Sequence, residues 1–516
     1  MYVNKTMIDS NRTENTKRNI LAGIIKQIAS IIMPFIVRTI VIYSLGELYQ
    51  GLSGLFTSIL QMLSLADLGF SSVIIYILYK PISEKNTTEI CAIIAFLRNI
   101  YKIVGFTVLG IGLLIMPFLP VIINGNYPDN INIYVVYVLY LCNSVISYFF
   151  FAYKTALLTA LQKESIVSNA NTLVLISSRV IQSLVLLLTH NYYLFVIVLI
   201  LGSILTNIII QILSNKYFPD LQPKGKVHAE TMCVFKKQIK AIMINRIADV
   251  ARNSLDNIIL STLFGLSIVA AYDNYYYIFT ALYGFSLVIV HGMQASVGNS
   301  IVEEGFEKNY RDLLKFNFIY SLITGLCTVC MVCAYQPFMN IWMSHKKNLI
   351  LDDATMILFC IYFYAITANN IRNLYINGKG LFYEIRWWYI IESASNLILN
   401  ILLGKFIGVK GIIIATIITI IVCNFFARTI ILFKNYFKIS SYRFFIENAK
   451  YFAVTFISGL VSYLLTSYMS FNPMLNLICS IITAVFVYSL LCLLFYRKSV
   501  YKDELVKVFK KRIYGR

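Results

Sequence analysis

Apolar runs of about 20 residues, each long enough to cross a bilayer as a helix, recur along this chain with short polar breaks between them. About fourteen such spans are predicted, beginning near Asn19, Leu48, Ile90, Asn132, Ile166, Tyr193, Lys236, Ser267, Tyr310, Asp352, Glu384, Gly408, Asn448 and Pro473. The seventh breaks the pattern, because its entry reads KAIMINRIADVARNSLDN from Lys240 to Asn257. At about 100° per residue, Asn245, Arg246, Asp249, Arg252, Asn253 and Asp256 share roughly one third of the helix circumference. Ionisable groups cost several kcal/mol in hydrocarbon, so such a face points to water or to an ion pathway. The alternative is self-neutralisation, Arg246 with Asp249 and Arg252 with Asp256, at spacings of three and four residues.

Charge sharpens this pattern. Of 516 residues 59% are hydrophobic and only 13% charged, about half the charged share of a soluble protein, which leaves a polytopic membrane protein. The net charge of +20 would suggest nucleic acid in a soluble chain. Here the lysines and arginines crowd into alternate breaks, among them those holding Lys80 and Lys85, Lys216 to Lys237, and Lys434 to Lys450. That distribution puts both termini in the cytoplasm and argues against nucleic-acid binding. Cys327, Cys330 and Cys333 have metal-site spacing but lie inside LITGLCTVCMVCAY, and read as small apolar side chains.

The chain repeats itself at an offset of about 220 residues: Leu45-Gly46 falls on Phe264-Gly265, Pro117-Phe118 on Pro337-Phe338, Lys26 on Arg246, and Lys154 near Arg372. The predicted fold is therefore an all-α polytopic protein with two pseudo-symmetric lobes of six helices. Residues 1–215 form the N-lobe, 216–237 a cytoplasmic linker, 238–434 the C-lobe, 435–496 two added helices and 497–516 a basic cytoplasmic tail. Repeats of this kind place a substrate site near the bilayer midplane.

Several residues carry candidate chemistry. Lys26, about two turns inside the first span, is too deep for easy snorkelling. Lys154 ends a polar stripe with Ser144, Ser147 and Phe151; Arg179 sits with Gln182; Arg372 sits among Asn369, Asn373 and Asn377. With Arg246 and Arg252 these cations outnumber Asp249, Asp256 and Glu392, and a cationic lumen suits phosphate or diphosphate. Glu392, Asn396 and Asn400 recur at four-residue intervals, and with Thr416, Asp249 and Asp256 they supply oxygen donors that could hold Na⁺ as a coupling ion; Glu392 or His291 could instead carry H⁺. No resident cofactor or metal is expected, and no Walker A sequence occurs.

Stretches at Gly51–Asn86 (GLSGLFTSILQMLSLADLGFSSVIIYILYKPISEKN), Leu255–Ile278, Ala295–Tyr310 and Gln336–Met343 (QPFMNIWM), with RNLYINGKGLFYEIRWWYIIESASNLILNILLGKFIGVKGIIIATIIT beyond, resemble the Wzx-type polysaccharide flippases of the multidrug/oligosaccharidyl-lipid/polysaccharide exporter superfamily. ATIIT in the twelfth span and MSHKKN in an outer loop depart from that pattern. The resemblance implies a two-lobed V-shaped transporter in a bacterial plasma membrane. Its cargo would be an undecaprenyl-diphosphate-linked oligosaccharide moved to the outer leaflet, with membrane lipids, a polysaccharide polymerase and glycosyltransferases as partners. A cation-coupled drug antiporter of the same superfamily is the first alternative, though an acidic, aromatic cavity would suit it better. A membrane glycosyltransferase or polymerase would need larger outer loops than these, so an enzyme is not expected.

Overall fold

A computed structural model describes residues 12–64, 70–469 and 471–497, with the side chains of all of these except 12–21, 72, 237, 238, 240–242, 244–253 and 295. Among the described residues the regular elements are all helical. The chain resolves into two compact units, the first through Ala270 and the second from Ala271.

In the first unit the order is α1(Arg12–Ser44), α2(Glu47–Leu63), α3(Phe70–Ser83), α4(Thr87–Ile115), a 3₁₀ turn with α5(Leu119–Ile122), α6(Ile133–Phe149), α7(Ala152–Ala160), α8(Glu164–Thr189), α9(Tyr192–Tyr217) and α10(Ala229–Phe264). The helix α11(Leu266–Glu303) leads into the second unit, which continues with α12(Phe306–Trp342), α13(Asp353–Thr367), α14(Asn370–Lys379), α15(Phe382–Ile407) and α16(Val409–Thr419). Two π-helical stretches, 420–427 and 433–437, flank α17(Arg428–Leu432), and α18(Tyr442–Ser467) and α19(Pro473–Phe495) follow.

Eleven helices among the described residues are long and apolar enough to cross a membrane, and α6 with α7, bent by 49°, makes a twelfth. The remaining two predicted spans are also helical. One is α2 and α3, separated by residues 65–69 outside the described set, and the other is α10, apolar over Ser254–Phe264 only after its charged stretch. The helix starts are set by local chemistry. Asn86, Asn132 and Asn191 each cap a helix, their side-chain oxygens accepting from backbone N–H groups one turn on and so satisfying donors that the helix leaves unpaired. Gly46 and Gly265, paired by the sequence repeat, both have positive φ, 109° and 81°, and both turn the chain out of a charged span into the next helix.

Packing within each unit follows from which faces are apolar. In the first, α1 lies along α8, α6 packs on α4 and α9, and α10 on α2 and α3. Phe56 meets Tyr137 edge to face at 5.3 Å, while the Tyr137 hydroxyl donates to the Gly112 carbonyl at 3.0 Å, so the buried phenol leaves no group unsatisfied. In the second, α12 packs on α18 and α19, and α15 on α16. Large apolar side chains face outward, Leu188 at 80% and Phe406 at 84% exposure, as a protein solvated by lipid requires.

One ion pair ties the entries of α13 and α16: Lys410 Nζ lies 2.7 Å from Asp352 Oδ2. Partial burial would push the Asp352 carboxyl up, but the Lys410 ammonium and the Thr355 hydroxyl hold it below the usual carboxylate range. A depressed folded-state pKa gives stability that is present above the unfolded value, about 3.9, and lost as pH falls through the folded one. Both partners are over a third exposed, so the pair is worth less than about 1 kcal/mol. Lys410→Met should therefore lower thermal stability slightly at pH 7, with the loss shrinking as pH falls below about 3.9; a larger loss at acid pH than at neutral pH would contradict this assignment.

Candidate functional site

The cations predicted to be functional fall in two settings. Lys154 and Arg372, paired by the repeat, each occupy the third position of a short helix that follows a break in a membrane span, α7 after α6 and α14 after α13. Both are fully buried. The first break turns on Phe151, whose φ of 37° is unusual for an aromatic residue. Lys154 Nζ then donates to the Leu221 carbonyl at 3.0 Å and to Gln222 Oε1 at 3.3 Å, in the basic segment after α9. Gln222 is itself held by Asn215 and by the Pro219 carbonyl, and Lys224 N–H donates to the Cys91 carbonyl on α4. The lysine therefore pins this segment against α4 and α7.

Arg372 does the same work on a larger scale. Nη1 donates to the carbonyls of Asn424 at 2.6 Å and Phe425 at 3.1 Å and to Thr429 Oγ1 at 3.0 Å, and Nη2 donates to Asn424 Oδ1 and Asn373 Oδ1 at 2.6 and 2.7 Å. The carbonyl acceptors lie in the π-helical stretch 420–427, where widened turns reorganise the backbone hydrogen bonds. A guanidinium, with five donors in a planar fork, can serve several such oxygens at once.

Sequence reasoning missed a third buried cation beside it. Arg428 ion-pairs with Glu392, both all but inaccessible, and its guanidinium stacks 3.5 Å from the Tyr389 ring centroid. Arg372, Arg428, Glu392 and Tyr389 are close enough to interact electrostatically. A lone arginine inside IIVCNFFARTIILF was the signal that could have found it, the same signal that singled out Lys26 and Arg372.

Asn396 and Thr416 meet where α15 packs on α16, and Glu392, one turn earlier on α15, meets Arg428 of α17. Asn396 Nδ2 donates to Thr416 Oγ1 at 3.1 Å, and Asn400 Nδ2 to Asn396 Oδ1 at 3.2 Å, forming a ladder that continues from the Arg428–Glu392 pair. Asn396 both donates and accepts within it. His291 is exposed on α11, away from this ladder in sequence and element.

In the first unit Lys26 is half-buried on α1 and makes no hydrogen bond or ion pair among the described residues. Arg179 Nη1 donates to Gln182 Oε1 at 2.9 Å on α8, the helix that α1 packs against, and buried Gln182 passes a hydrogen bond to the Phe195 carbonyl at 3.0 Å. Arg246, Asp249 and Arg252 lie on the backbone of α10, but their side chains fall outside the described residues. Asp256, two turns from the end of that helix, is buried, and its neighbour Asn257 donates to Ser58 Oγ on α2 at 3.0 Å.

No protein-family model matches this sequence, and a search of curated proteins finds no match. Solved structures do match. The lipid II flippase MurJ in its inward closed conformation superposes with a TM-score of 0.65 at 17% identity, covering 93% of this chain and 99% of MurJ. An inward-facing multidrug resistance MATE transporter of the MOP superfamily gives 0.57 at 13% identity, covering 79% of this chain and 96% of its own. A MOP superfamily transporter from Pyrococcus furiosus, described as having a binding pocket of reverse polarity that suggests a different function, gives 0.53 at 12% identity, with 83% and 98% covered. By its fold, this chain is a multi-pass membrane protein built on the helical architecture shared by the MurJ flippase and the MATE transporters of the MOP superfamily.

Proposed function

We propose that this protein is a flippase that moves an undecaprenyl-diphosphate-linked oligosaccharide from the cytoplasmic to the outer leaflet by alternating access, for assembly of a surface polysaccharide. The observation that carries the reading is the extent of the likeness to MurJ, 93% of this chain and 99% of that one, against 79% for the inward-facing MATE transporter. MurJ is a flippase of lipid II, a lipid-linked cargo. The excess of basic over acidic residues inside the spans supports an anionic cargo over an organic cation.

Within this reading Lys26, Arg246, Arg252 and Arg179 grip the diphosphate through paired guanidinium donors and a lysine point charge. Lys154 and Arg372, whose donors are engaged by carbonyls in this conformation, hold the broken spans in place. The polyprenyl chain stays in lipid, and no bond is made or broken.

In a strain lacking the gene, Arg246→Ala and Arg252→Ala should each abolish surface polysaccharide while the protein remains in the membrane at normal abundance. Normal export by both single variants and by the double would sink the proposed grip. Loss of organic-cation resistance with unchanged polysaccharide would favour the drug antiporter instead.

A further inference from the structure

Where α12 and α18 begin and α19 ends, the second unit encloses a cavity of about 940 Å³. Lys308, Arg311 and Lys315 enter it from α12, and Arg443 and Lys450 from α18, against two carboxylates among the described residues, Asp312 and Glu447. Lys450 is paired with Glu447 at 3.1 Å, and Lys308 with Glu304. Arg311 and Arg443 are exposed and make no hydrogen bond or ion pair among the described residues, so two guanidinium groups stand ready for an anion.

The other wall is apolar. Phe318, Tyr451 and Tyr496 form a closed aromatic trio with centroids 5.3 to 5.9 Å apart. Val454 and Ile457 continue the wall along α18, and Phe495 along α19. One helical turn further, Val461 and Leu465 of α18 face Phe486, Leu490 and Leu491 of α19 across an apolar groove of about 400 Å³. The stripe 450, 454, 457, 461, 465 runs at helical spacing from the charged end into the groove. A cationic mouth, an aromatic collar and an apolar trough in that order match an amphiphile with a phosphate at one end and hydrocarbon at the other.

We propose that this cavity binds the headgroup of an anionic glycerophospholipid of the surrounding bilayer, with the acyl chains lying along α18 and α19. A free phosphate would make no use of the apolar trough, and a neutral lipid none of the unpaired guanidinium groups. The charge distribution of the chain puts this mouth on the cytoplasmic side, where anionic headgroups hold basic side chains near the surface. The site is separate from the residues assigned to the transported cargo and stands whether or not that assignment holds.

Native mass spectrometry of the full-length protein titrated with dioleoylphosphatidylglycerol or dioleoylphosphatidylcholine tests the proposal. The expected result is phosphatidylglycerol retained on the order of tenfold more tightly, with the preference lost in Arg311→Gln/Arg443→Gln and kept in Lys434→Gln/Lys438→Gln, which removes two nearby charges outside the cavity. Ala453→Trp, which fills the cavity and leaves its charges intact, should also abolish retention and covers the case in which the arginine variant fails to fold. Equal retention of the two lipids, or equal loss in both paired variants, would overturn the proposal. So would displacement of phosphatidylglycerol by inorganic phosphate, which would make this a free-anion site, or by a polyprenyl diphosphate at equal concentration, which would assign it to the cargo.

Discussion

Replacing Arg428 with methionine should destabilise the purified protein by about 3–5 kcal/mol, because it takes the ion-pair partner from the Glu392 carboxylate in the interior of the second unit. The loss of the pair's own attraction is the smaller part, since desolvation of two buried charges offsets most of it. Loss of the cation stacked 3.5 Å from the Tyr389 ring adds on the order of 1 kcal/mol. It follows that Arg428→Met/Glu392→Gln, which removes the stranded charge as well, should recover more than half of the loss. The measurement is the fraction of monodisperse protein after a heating series in detergent. If the double variant is as unstable as Arg428→Met alone, the carboxylate is not what the arginine compensates.

Arg372 is the second position where a single change should be severe. Its guanidinium serves five acceptors, and removing it takes a charged donor from the buried Asn424 and Phe425 carbonyls, of which only the second has another side-chain donor among the described residues, the Thr429 hydroxyl. Hydrogen bonds from a charged donor are worth about 1.5–3 kcal/mol each, but bonds from one group are not additive, so Arg372→Met is expected to cost about 3–5 kcal/mol. Arg372→Lys should recover only part of this, because an ammonium cannot reproduce the planar fork. Hydrogen exchange gives the local readout. Peptides covering 420–437 should exchange faster in both variants while those of α18 stay unchanged, and a uniform increase across the unit would contradict the assignment.

The helices were legible because their cause is local. A run of apolar residues long enough to cross a bilayer needs no partner to declare itself, and the predicted starts at Asn132, Tyr193, Asp352, Gly408 and Pro473 lie on or next to observed helix starts. Gly46 and Gly265, set at matching places by the sequence repeat, both take positive φ where one helix ends and the next begins. What the buried charges do was less accessible. Sequence marks Lys154, Arg372 and Glu392 as ionisable groups in apolar surroundings, but their partners lie 67, 52 and 36 residues away and are set by packing. Lys154 and Arg372 donate in part to backbone carbonyls, which every residue carries and no pattern distinguishes. The ladder from Asn396 to Thr416 was visible as a stripe on one helix, and only the neighbouring helix shows what it meets.

The broken spans also bear on how the chain is made. Lys154 and Arg372 are synthesised before the carbonyls that satisfy them, by 67 and 52 residues. At roughly 5–20 residues per second, a ribosome needs about 3–13 s to deliver Leu221 after Lys154. Throughout that interval the Lys154 ammonium lacks the carbonyl that engages it in the folded protein. The fourth and tenth spans are therefore poor candidates for independent release into lipid. They belong beside the insertion machinery until the next two spans have arrived, which makes the unit of membrane integration a group of three spans.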